Sequence, residues 1–362
     1  MEHRIIISGG GTGGHIFPAI AIACELRRQF PEAEILFVGA EGRMEMEKVP
    51  QAGFEIVGLP IKGLQRRLSG ENFKLPFKLI GSVVKARRII KSFKPTAAVG
   101  VGGYASGPML LACRLGGVPY LIQEQNSYAG LTNKWLAGGA DKICTAWPGM
   151  DKYFPAYKIV LTGNPVRAQI KNQMLTQAEA QQKFGLQPGK STLLITGGSL
   201  GARTLNQAAY SGINMLLNAG IQLIWQTGKQ WGAFNSVPQQ GGVWTSAFID
   251  RMEDAYTAAD VVIGRSGALT LSELAVLGKA AILVPSPNVA EDHQTKNAMS
   301  LVSREAALLV TDAEAAQKLI PAAKELILNT DMRAKMCRNI AKLALPNADQ
   351  LIVGELLALS RG

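Results

Sequence analysis

His15 is the first side chain able to take up a proton after the glycine-rich run Gly9–Gly14, which follows an apolar strand pattern. Glycines let a backbone approach a ligand closely, and the start of the next helix offers unpaired N–H groups to a phosphate. The positive end of a helix dipole disfavours the protonated imidazole, which leaves His15 neutral and able to act as a general base. A residue that only caps its helix is the alternative, and we favour the base.

A dinucleotide-binding site is an open alternative for the same loop. Gly9, Gly11 and Gly14 have the spacing of the dinucleotide fingerprint, and Glu41 lies at the end of the next strand pattern. This motif alone does not exclude a nicotinamide-dependent oxidoreductase. A second glycine loop, Gly102–Pro108, follows another strand pattern, and its amides can hold a second phosphate group.

The most specific motif of the second half is Arg265–Glu273, in which a turn of small residues opens a helix and Glu273 lies one turn inside it. A carboxylate there can accept from both vicinal hydroxyls of a ribose, while the turn's amides face the phosphates. The alternative is that Ser266 only caps the helix and Glu273 is only a charge in solvent. That interpretation explains each residue, but it does not explain why they occur together after a buried strand. The chain has no D-x-D triplet, so we expect helix dipoles and Arg167, rather than a metal, to hold a diphosphate.

Apolar runs alternate with helical patterns along the chain, which predicts parallel sheets with helices on both faces and functional loops at the carboxyl ends of the strands. A helix is predicted over Pro18–Phe30 and a loop over Gln181–Ser191. The predicted strands are Arg4–Ser8, Ile35–Val38, Ala97–Val101, Tyr120–Gln123, Lys142–Cys144, Leu193–Thr196, Gln222–Gln226, Val261–Ile263 and Ala281–Val284.

The length of 362 residues suggests two domains, and 47% hydrophobic residues suffice for two cores. The segments Ile5–Gly11 and Leu193–Ser199 resemble each other, as expected if each opens a doubly wound domain. We therefore predict a first domain over residues 1–162 and a second over 163–344. A last helix over about 345–362 fits packing on either domain, including back on the first.

Ten Lys or Arg residues and one Glu lie between Lys62 and Lys94, within a chain whose net charge is +11. Bulky aliphatic residues are interleaved with them, a pattern that suits an anionic membrane surface better than nucleic acid, which favours aromatic stacking platforms. A solvated helix that turns Val83, Val84 and Ile90 to the core is an equal alternative for the second half of this segment. The membrane-facing residues that we predict are Arg66, Arg67, Phe73, Phe77 and Lys78.

Composition excludes several classes of protein. The four cysteines form no C-x-x-C pair, which argues against a disulfide framework or a zinc site and favours a reducing cytoplasm. No run of about 18 apolar residues occurs, so we expect no transmembrane helix, and the first nine residues predict no cleaved leader.

Five motifs, taken together and in this order, resemble glycosyltransferase family 28, whose N-acetylglucosaminyltransferases complete the lipid-linked peptidoglycan precursor. They are GGGTGGH at Gly9–His15, GGYASGP at Gly102–Pro108, GNPVR at Gly163–Arg167, RSGALTLSE at Arg265–Glu273, and Asp292-His293-Gln294 followed by Asn297. The resemblance spans both halves of the chain. It implies an α/β fold of the GT-B class, with two Rossmann-like doubly wound domains facing across a cleft.

The activity that the resemblance implies is inverting transfer of N-acetylglucosamine from UDP-N-acetylglucosamine to the muramoyl C4 hydroxyl of undecaprenyl-linked lipid I, which gives lipid II. No metal, cofactor or nucleic acid is expected. The expected partners are both substrates, an anionic membrane surface and other cell-wall synthesis proteins. The expected place is the cytoplasmic face of the bacterial inner membrane, peripherally bound, with roles in cell-wall biogenesis, cell shape and cell division.

The resemblance also implies roles for individual residues, with His15 as the catalytic base. Donor-binding residues would be Thr12, Gly13, Gly14, Asn126, Arg167, Ser199, Ile249 through its backbone, Ala268, Leu269, Thr270, Glu273 and Gln294. The acceptor pyrophosphate would lie against Gly10, Gly11, Gly103 and Tyr104. Two positions depart from the family pattern, because His293 and Leu200 stand where glutamine is common.

Three rival functions remain. A glycolipid synthase with a diacylglycerol acceptor would share the architecture. A nicotinamide-dependent oxidoreductase would leave the Glu273 turn without a purpose, and a non-catalytic sugar-nucleotide-binding regulator would not need His15.

Overall fold

A computed structural model of the chain describes residues 3–61, 75–198, 200–229, 231 and 241–360, without the side chains of residues 75–78 and 290. The chain divides into two compact units. The first comprises Met1–Val166 and Pro346–Gly362, and the second comprises Arg167–Leu345.

The first unit is built on a parallel sheet in the order β3-β2-β1-β4-β5-β6-β7, in which seven strands lie within the described residues. The order reverses between β1 and β4, so the helices that follow these two strands pack on opposite faces of the sheet. The strands are β1 Arg4–Ser8, β2 Glu34–Ala40, β3 Glu55–Leu59, β4 Ala97–Gly100, β5 Tyr120–Glu124, β6 Lys142–Thr145 and β7 Ile159–Leu161.

Helices cover both faces of this sheet because successive residues of a buried strand point to opposite sides. Ile5 and Ile7 of β1 belong to one apolar core, and Ile6 belongs to the other. The helices that follow in the first unit are α1 Gly13–Gln29, α2 Glu45–Gln51, α3 Leu75–Phe93, α4 Ser106–Gly116 and α5 Leu131–Leu136.

The second unit repeats this plan in the order β10-β9-β8-β11-β12-β13, with six parallel strands in the described part of the chain. Its order reverses between β8 and β11. The strands are β8 Thr192–Thr196, β9 Gln222–Gln226, β10 Val243–Ser246, β11 Val261–Gly264, β12 Ala280–Leu283 and β13 Leu308–Leu309. The helices are α6 Ala168–Lys171, α7 Gln177–Lys183, α8 Arg203–Asn218, α9 Met252–Ala258, α10 Ala268–Leu277, α11 His293–Val302, α12 Ala315–Leu328 and α13 Thr330–Ala341.

The last helix, α14 (Ala348–Ser360), packs on the first unit beside α1. Ile352, Val353 and Leu356 are fully buried and belong to the same apolar core as Ile5 and Ile7. The C-terminal helix therefore completes one face of the first sheet.

The predicted pair of doubly wound parallel sheets is confirmed, and the nine predicted strands all occur within one or two residues of their predicted bounds. The four strands that the sequence did not predict are β3, β7, β10 and β13, and each lies at an edge of its sheet. Edge strands are shorter or partly exposed, so they lack the continuous apolar run that marks a central parallel strand.

The loop predicted over Gln181–Ser191 is wrong at its start, because α7 continues to Lys183. Thr176 and Glu179 form a reciprocal capping box that begins this helix. Gln181 is buried, and its side-chain amide donates to the backbone oxygen of Lys190 and to Thr192 Oγ1. Gln181 is polar, which is typical of a loop residue, but it lies in the helix and its side chain links α7 to the start of β8.

Two predictions for helices also need correction. α1 begins at Gly13 rather than at Pro18, so the glycines and His15 form its first turn. On α3, Val83 and Ile90 pack against the core as the inward-facing alternative expected, but Val84 is 44% exposed.

No helix in the described ranges combines the length and the apolarity needed to cross a membrane.

Leu356→Ala should destabilise the protein by about 2–5 kcal/mol, because it leaves a cavity between α14 and the first sheet. Leu351→Ala on the same helix is the matched control, since Leu351 is 47% exposed, and should change stability by about 0.5 kcal/mol or less. Denaturant unfolding of both variants measures the difference. Equal losses would contradict the packing of α14 described above.

Candidate functional site

Two glycine loops meet at the point where the order of the first sheet reverses. The N–H of Gly10, after β1, donates to the oxygen of Gly102, after β4, at 3.3 Å. A Cβ on Gly103 would lie 2.2 Å from Gly10 O, and Gly103 has a φ of +86°. Only glycine therefore allows this approach.

His15 lies in the first turn of α1 above this contact. Its Nδ1 is 3.1 Å from the backbone oxygen of Gly10 and 3.2 Å from Thr12 Oγ1. Because a carbonyl oxygen only accepts, the contact with Gly10 places the proton on Nδ1 and leaves Nε2 as the basic nitrogen. Nε2 points toward Gly102, where a Cβ would lie 3.0 Å from it.

Glu45, the first residue of α2, supports this loop and was not predicted from the sequence. Its carboxylate is buried, and it accepts from the N–H of Gly11 at 2.9 Å and from the N–H of Ala40 at 3.0 Å. A Cβ on Gly10 would lie 2.2 Å from Glu45 Oε1. The only signal in the sequence is a glutamate in the first turn of a short helix, which is a common feature.

The N–H groups of Gly10 and Gly11, which the resemblance assigns to an acceptor pyrophosphate, thus donate within the protein. The N–H groups of Gly13 and Gly14, in the first turn of α1, have no acceptor among the described residues. Tyr104 is half-exposed, and its ring lies 3.8 Å from the position of a Cβ on Gly11. The open amides of this loop are therefore those of the helix start.

Asn126 lies in a loop that Glu124 holds together. The Glu124 carboxylate is buried and accepts from the backbone N–H of Asn126 and of Gly130, and from the side-chain amides of Asn126 and Asn133. Glu124 therefore orders the loop that presents Asn126.

Glu41, on which the dinucleotide alternative depends, pairs with Lys85, with Lys85 Nζ 2.8 Å from Glu41 Oε1. Its carboxylate is engaged on the surface of the first unit.

Glu273 joins three elements of the second unit. Arg167, which begins this unit, donates to Glu273 Oε1 from Nε at 3.3 Å and from Nη2 at 3.1 Å. Tyr256, on α9, donates its hydroxyl to Glu273 Oε2 at 3.0 Å. Burial raises the pKa of the Glu273 carboxyl, and the charge of Arg167 and the two sets of hydrogen bonds act in the opposite direction. Tyr256 was not predicted, because nothing in its sequence neighbourhood marks it.

The start of α10 faces the reversal point of the second sheet, where β11 and β8 are neighbours. Gly267 caps the helix, and Ala268, Leu269 and Thr270 form its first turn. Ser266 Oγ is fully buried and has no hydrogen-bond partner among the described residues. An orphaned buried hydroxyl beside a helix start is suited to a polar ligand.

Two further predicted donor residues, Ile249 and Gln294, belong to the second unit. Ile249 has a buried side chain, and its N–H and C=O have no partner in the described part of the chain. Gln294 Oε1 accepts from the N–H of Ser286 at 2.8 Å. Glu291 and Asp292, just before α11, both adopt left-handed φ angles that non-glycine residues seldom adopt. Ser199 lies outside the described residues, and Leu200 beside it is exposed.

Within the described ranges, no group of three or more His, Cys, Asp or Glu side chains could hold a metal ion.

Comparisons with known proteins agree with this architecture. Residues 5–145 match the glycosyltransferase family 28 N-terminal domain, and residues 192–352 match the glycosyltransferase family 28 C-terminal domain. The solved structure of MurG from Acinetobacter baumannii is 30% identical, covers 99% of this chain and 100% of its own, and superposes with a TM-score of 0.80.

Two relatives bear the name UDP-N-acetylglucosamine--N-acetylmuramyl-(pentapeptide) pyrophosphoryl-undecaprenol N-acetylglucosamine transferase. The protein from Parabacteroides distasonis is 51% identical over 99% of this chain and 98% of its own length. The protein from Phocaeicola vulgatus is 52% identical over 99% of this chain and 96% of its own. These matches confirm the resemblance that the motifs indicated: the chain belongs to glycosyltransferase family 28 and is a hexosyltransferase of the GT-B fold.

Proposed function

We propose that this enzyme transfers N-acetylglucosamine from UDP-N-acetylglucosamine to the muramoyl C4 hydroxyl of undecaprenyl-linked lipid I, with inversion, to give lipid II. The observation that carries the proposal is the identity of about half of all residues, over nearly the full length of both chains, with transferases of that name. The test is transfer of labelled N-acetylglucosamine from UDP to a lipid I analogue, with and without a chelator. Absence of transfer to lipid I, with transfer to diacylglycerol, would replace this proposal with the glycolipid synthase.

His15 is the general base of the proposed reaction. The acceptor C4 oxygen attacks C1 of N-acetylglucosamine, its proton passes to His15 Nε2, and the bond from C1 to the diphosphate oxygen breaks on the opposite face. The contact of Nδ1 with Gly10 O supports this role, because it holds the ring in the tautomer whose Nε2 can accept. A single displacement converts the α-linked donor into a β-linked product.

The nucleotide is assigned to the second unit. Glu273 accepts hydrogen bonds from the ribose hydroxyls, and the backbone of Ile249 forms hydrogen bonds with uracil. The first turn of α10 and Arg167 bind the diphosphate. The open polar groups of Ile249 and the unpaired Ser266 hydroxyl support this assignment. Ser199 is proposed for the diphosphate, and Gln294, Asn126 and the Thr12–Gly14 turn are proposed for the transferred sugar.

The membrane contact is proposed along α3. Ile80 and Val84, one turn apart, are 61% and 44% exposed, and Arg87 and Lys91 continue the exposed face toward the end of the helix. Apolar side chains beside cations favour the interface of an anionic bilayer. Among the predicted patch residues, Arg66, Arg67 and Phe73 lie outside the described residues, as do the side chains of Phe77 and Lys78. We place the enzyme on the cytoplasmic leaflet, where a lipid-linked acceptor and a cytosolic nucleotide sugar can meet.

His15→Ala should lower kcat by about 10²–10⁴-fold, because removal of a general base costs that much in rate. The Kd for UDP and the melting temperature should change little, since uridine binding is assigned to the second unit. Steady-state kinetics with a lipid I analogue and calorimetry with UDP measure the two effects. A variant with near wild-type kcat would remove His15 from the proposed role.

Binding of UDP-N-acetylglucosamine should weaken as the pH falls from neutral toward the ordinary glutamate pKa of about 4.3, because burial raises the pKa of Glu273 and only the carboxylate accepts from both ribose hydroxyls. Glu273→Gln should bind weakly at every pH. The doubly esterified diphosphate of this donor has no group that titrates in this range, unlike the terminal phosphate of UDP, whose pKa is about 6. Wild type and variant with the same pH dependence would contradict the assignment.

Arg87→Glu with Lys91→Glu should reduce binding to anionic vesicles by roughly tenfold or more, because each cation near such a surface contributes about 1 kcal/mol. The matched control is Arg338→Glu with Lys342→Glu, an equally exposed pair with the same spacing in the second unit. Vesicle sedimentation measures both. An equal loss in the two variants would indicate a net-charge effect and remove α3 as the docking face.

A further inference from the structure

Tyr256 belongs to none of the motifs assigned to the nucleotide, yet its hydroxyl donates to Glu273 Oε2 at 3.0 Å. We propose that Tyr256 is a positioning residue, which holds the Glu273 carboxylate in the orientation that accepts the ribose hydroxyls of a uridine nucleotide. This inference rests on the proposed function, because it takes Glu273 as the ribose acceptor.

The two protein partners of Glu273 differ in how firmly they are held. The side chain of Arg167 is 41% exposed, whereas Tyr256 is 2% exposed on α9. Asp254, on the same helix, is also buried and pairs with Lys183 at 3.1 Å and with Arg251 at 3.0 Å. The Tyr256 ring therefore has a fixed support, whereas the guanidinium of Arg167 lies within reach of solvent.

The number of acceptor positions on Glu273 separates the roles of these partners. An ionised carboxylate offers about four such positions, and the two bonds from Arg167 occupy those of Oε1 while Tyr256 occupies one on Oε2. A ribose diol needs two. One position is open, so at least one more must be freed when the nucleotide binds. Arg167, which is also assigned to the diphosphate, is the partner that gives up a bond, whereas the Tyr256 bond leaves a position on Oε2 and persists.

The Tyr256 hydroxyl then remains the protein donor to a buried carboxylate. Burial and the neighbouring charge of Glu273 raise the pKa of Tyr256 well above its ordinary value, so the phenol keeps its proton at neutral pH. Without that donor, the Glu273 carboxylate loses both its orientation and a hydrogen bond that favours its charged form.

The experiment compares the Kd values of UDP and 2′-deoxy-UDP by calorimetry for wild type and Tyr256→Phe. Wild type should prefer UDP by about tenfold or more, because a hydrogen bond to a charged group is lost with the 2′-hydroxyl. Tyr256→Phe should weaken the binding of UDP several-fold and that of 2′-deoxy-UDP less, because the deoxy ligand has only its 3′-hydroxyl to donate to Glu273, and much of the preference should be lost. The matched control is Tyr120→Phe, because the buried Tyr120 hydroxyl donates only to the backbone oxygen of Leu136 in the first unit.

The outcomes separate this inference from the proposed function. If Tyr256→Phe keeps the wild-type preference, the positioning role falls while the ribose role of Glu273 stands. If wild type has no preference, the ribose role falls and takes this inference with it. Loss of the preference in Tyr120→Phe as well would assign the effect to stability and overturn the positioning role.

Should Tyr256→Phe fail to fold, the double variant Tyr256→Phe/Glu273→Gln removes the buried charge together with the hydroxyl. It should bind UDP as Glu273→Gln does. A further loss of UDP affinity in the double variant would show that Tyr256 acts by another route, which would overturn the inference.

Discussion

Contact between backbones too close to admit a Cβ atom positions the glycine loops of both units. In the first unit, a Cβ on Gly103 would lie 2.2 Å from Gly10 O, and in the second a Cβ on Gly201 would lie 2.2 Å from Thr227 O. Gly103 and Gly201 also have φ angles of +86° and +77°. A side chain at Gly103 would separate the loops that precede α1 and α4, and one at Gly201 would displace the start of α8, so the orientation of these first turns depends on the two glycines.

Buried carboxylates also hold these loops in place. Glu45 accepts hydrogen bonds from the first glycine loop and from the end of β2. Glu124 accepts hydrogen bonds from several residues of the loop that carries Asn126. Both are satisfied by amide N–H groups, which is how a buried charge avoids the cost of desolvation. Glu273 differs, because its partners are the side chains of Arg167 and Tyr256 rather than amide N–H groups. The structure thus separates two carboxylates that order a loop from one that side chains of distant segments hold.

Central strands could be predicted from the sequence, and edge strands could not. Ile5–Ile7 and Leu193–Ile195 are buried on both faces, so their apolar runs are unbroken. β13 has two residues, and β10 is only partly buried along its length, so neither carries a pattern that differs from that of a loop. The α7 helix was missed for a related reason, since the buried polar Gln181 satisfies its amide through the fold rather than through water.

By itself, the sequence determined the chain's two parallel sheets, its glycine turns and its family, because these depend on local patterns and on motif spacing. The family resemblance named Glu273 and Arg167 separately, for ribose and for diphosphate. Only the tertiary structure decided that the two side chains bind each other and that Tyr256, from another helix, holds the same carboxylate. It also decided that the N–H groups of Gly10 and Gly11 donate hydrogen bonds within the protein. Hydrogen-bond partners come from segments distant in the chain, and no local pattern encodes which of them will meet.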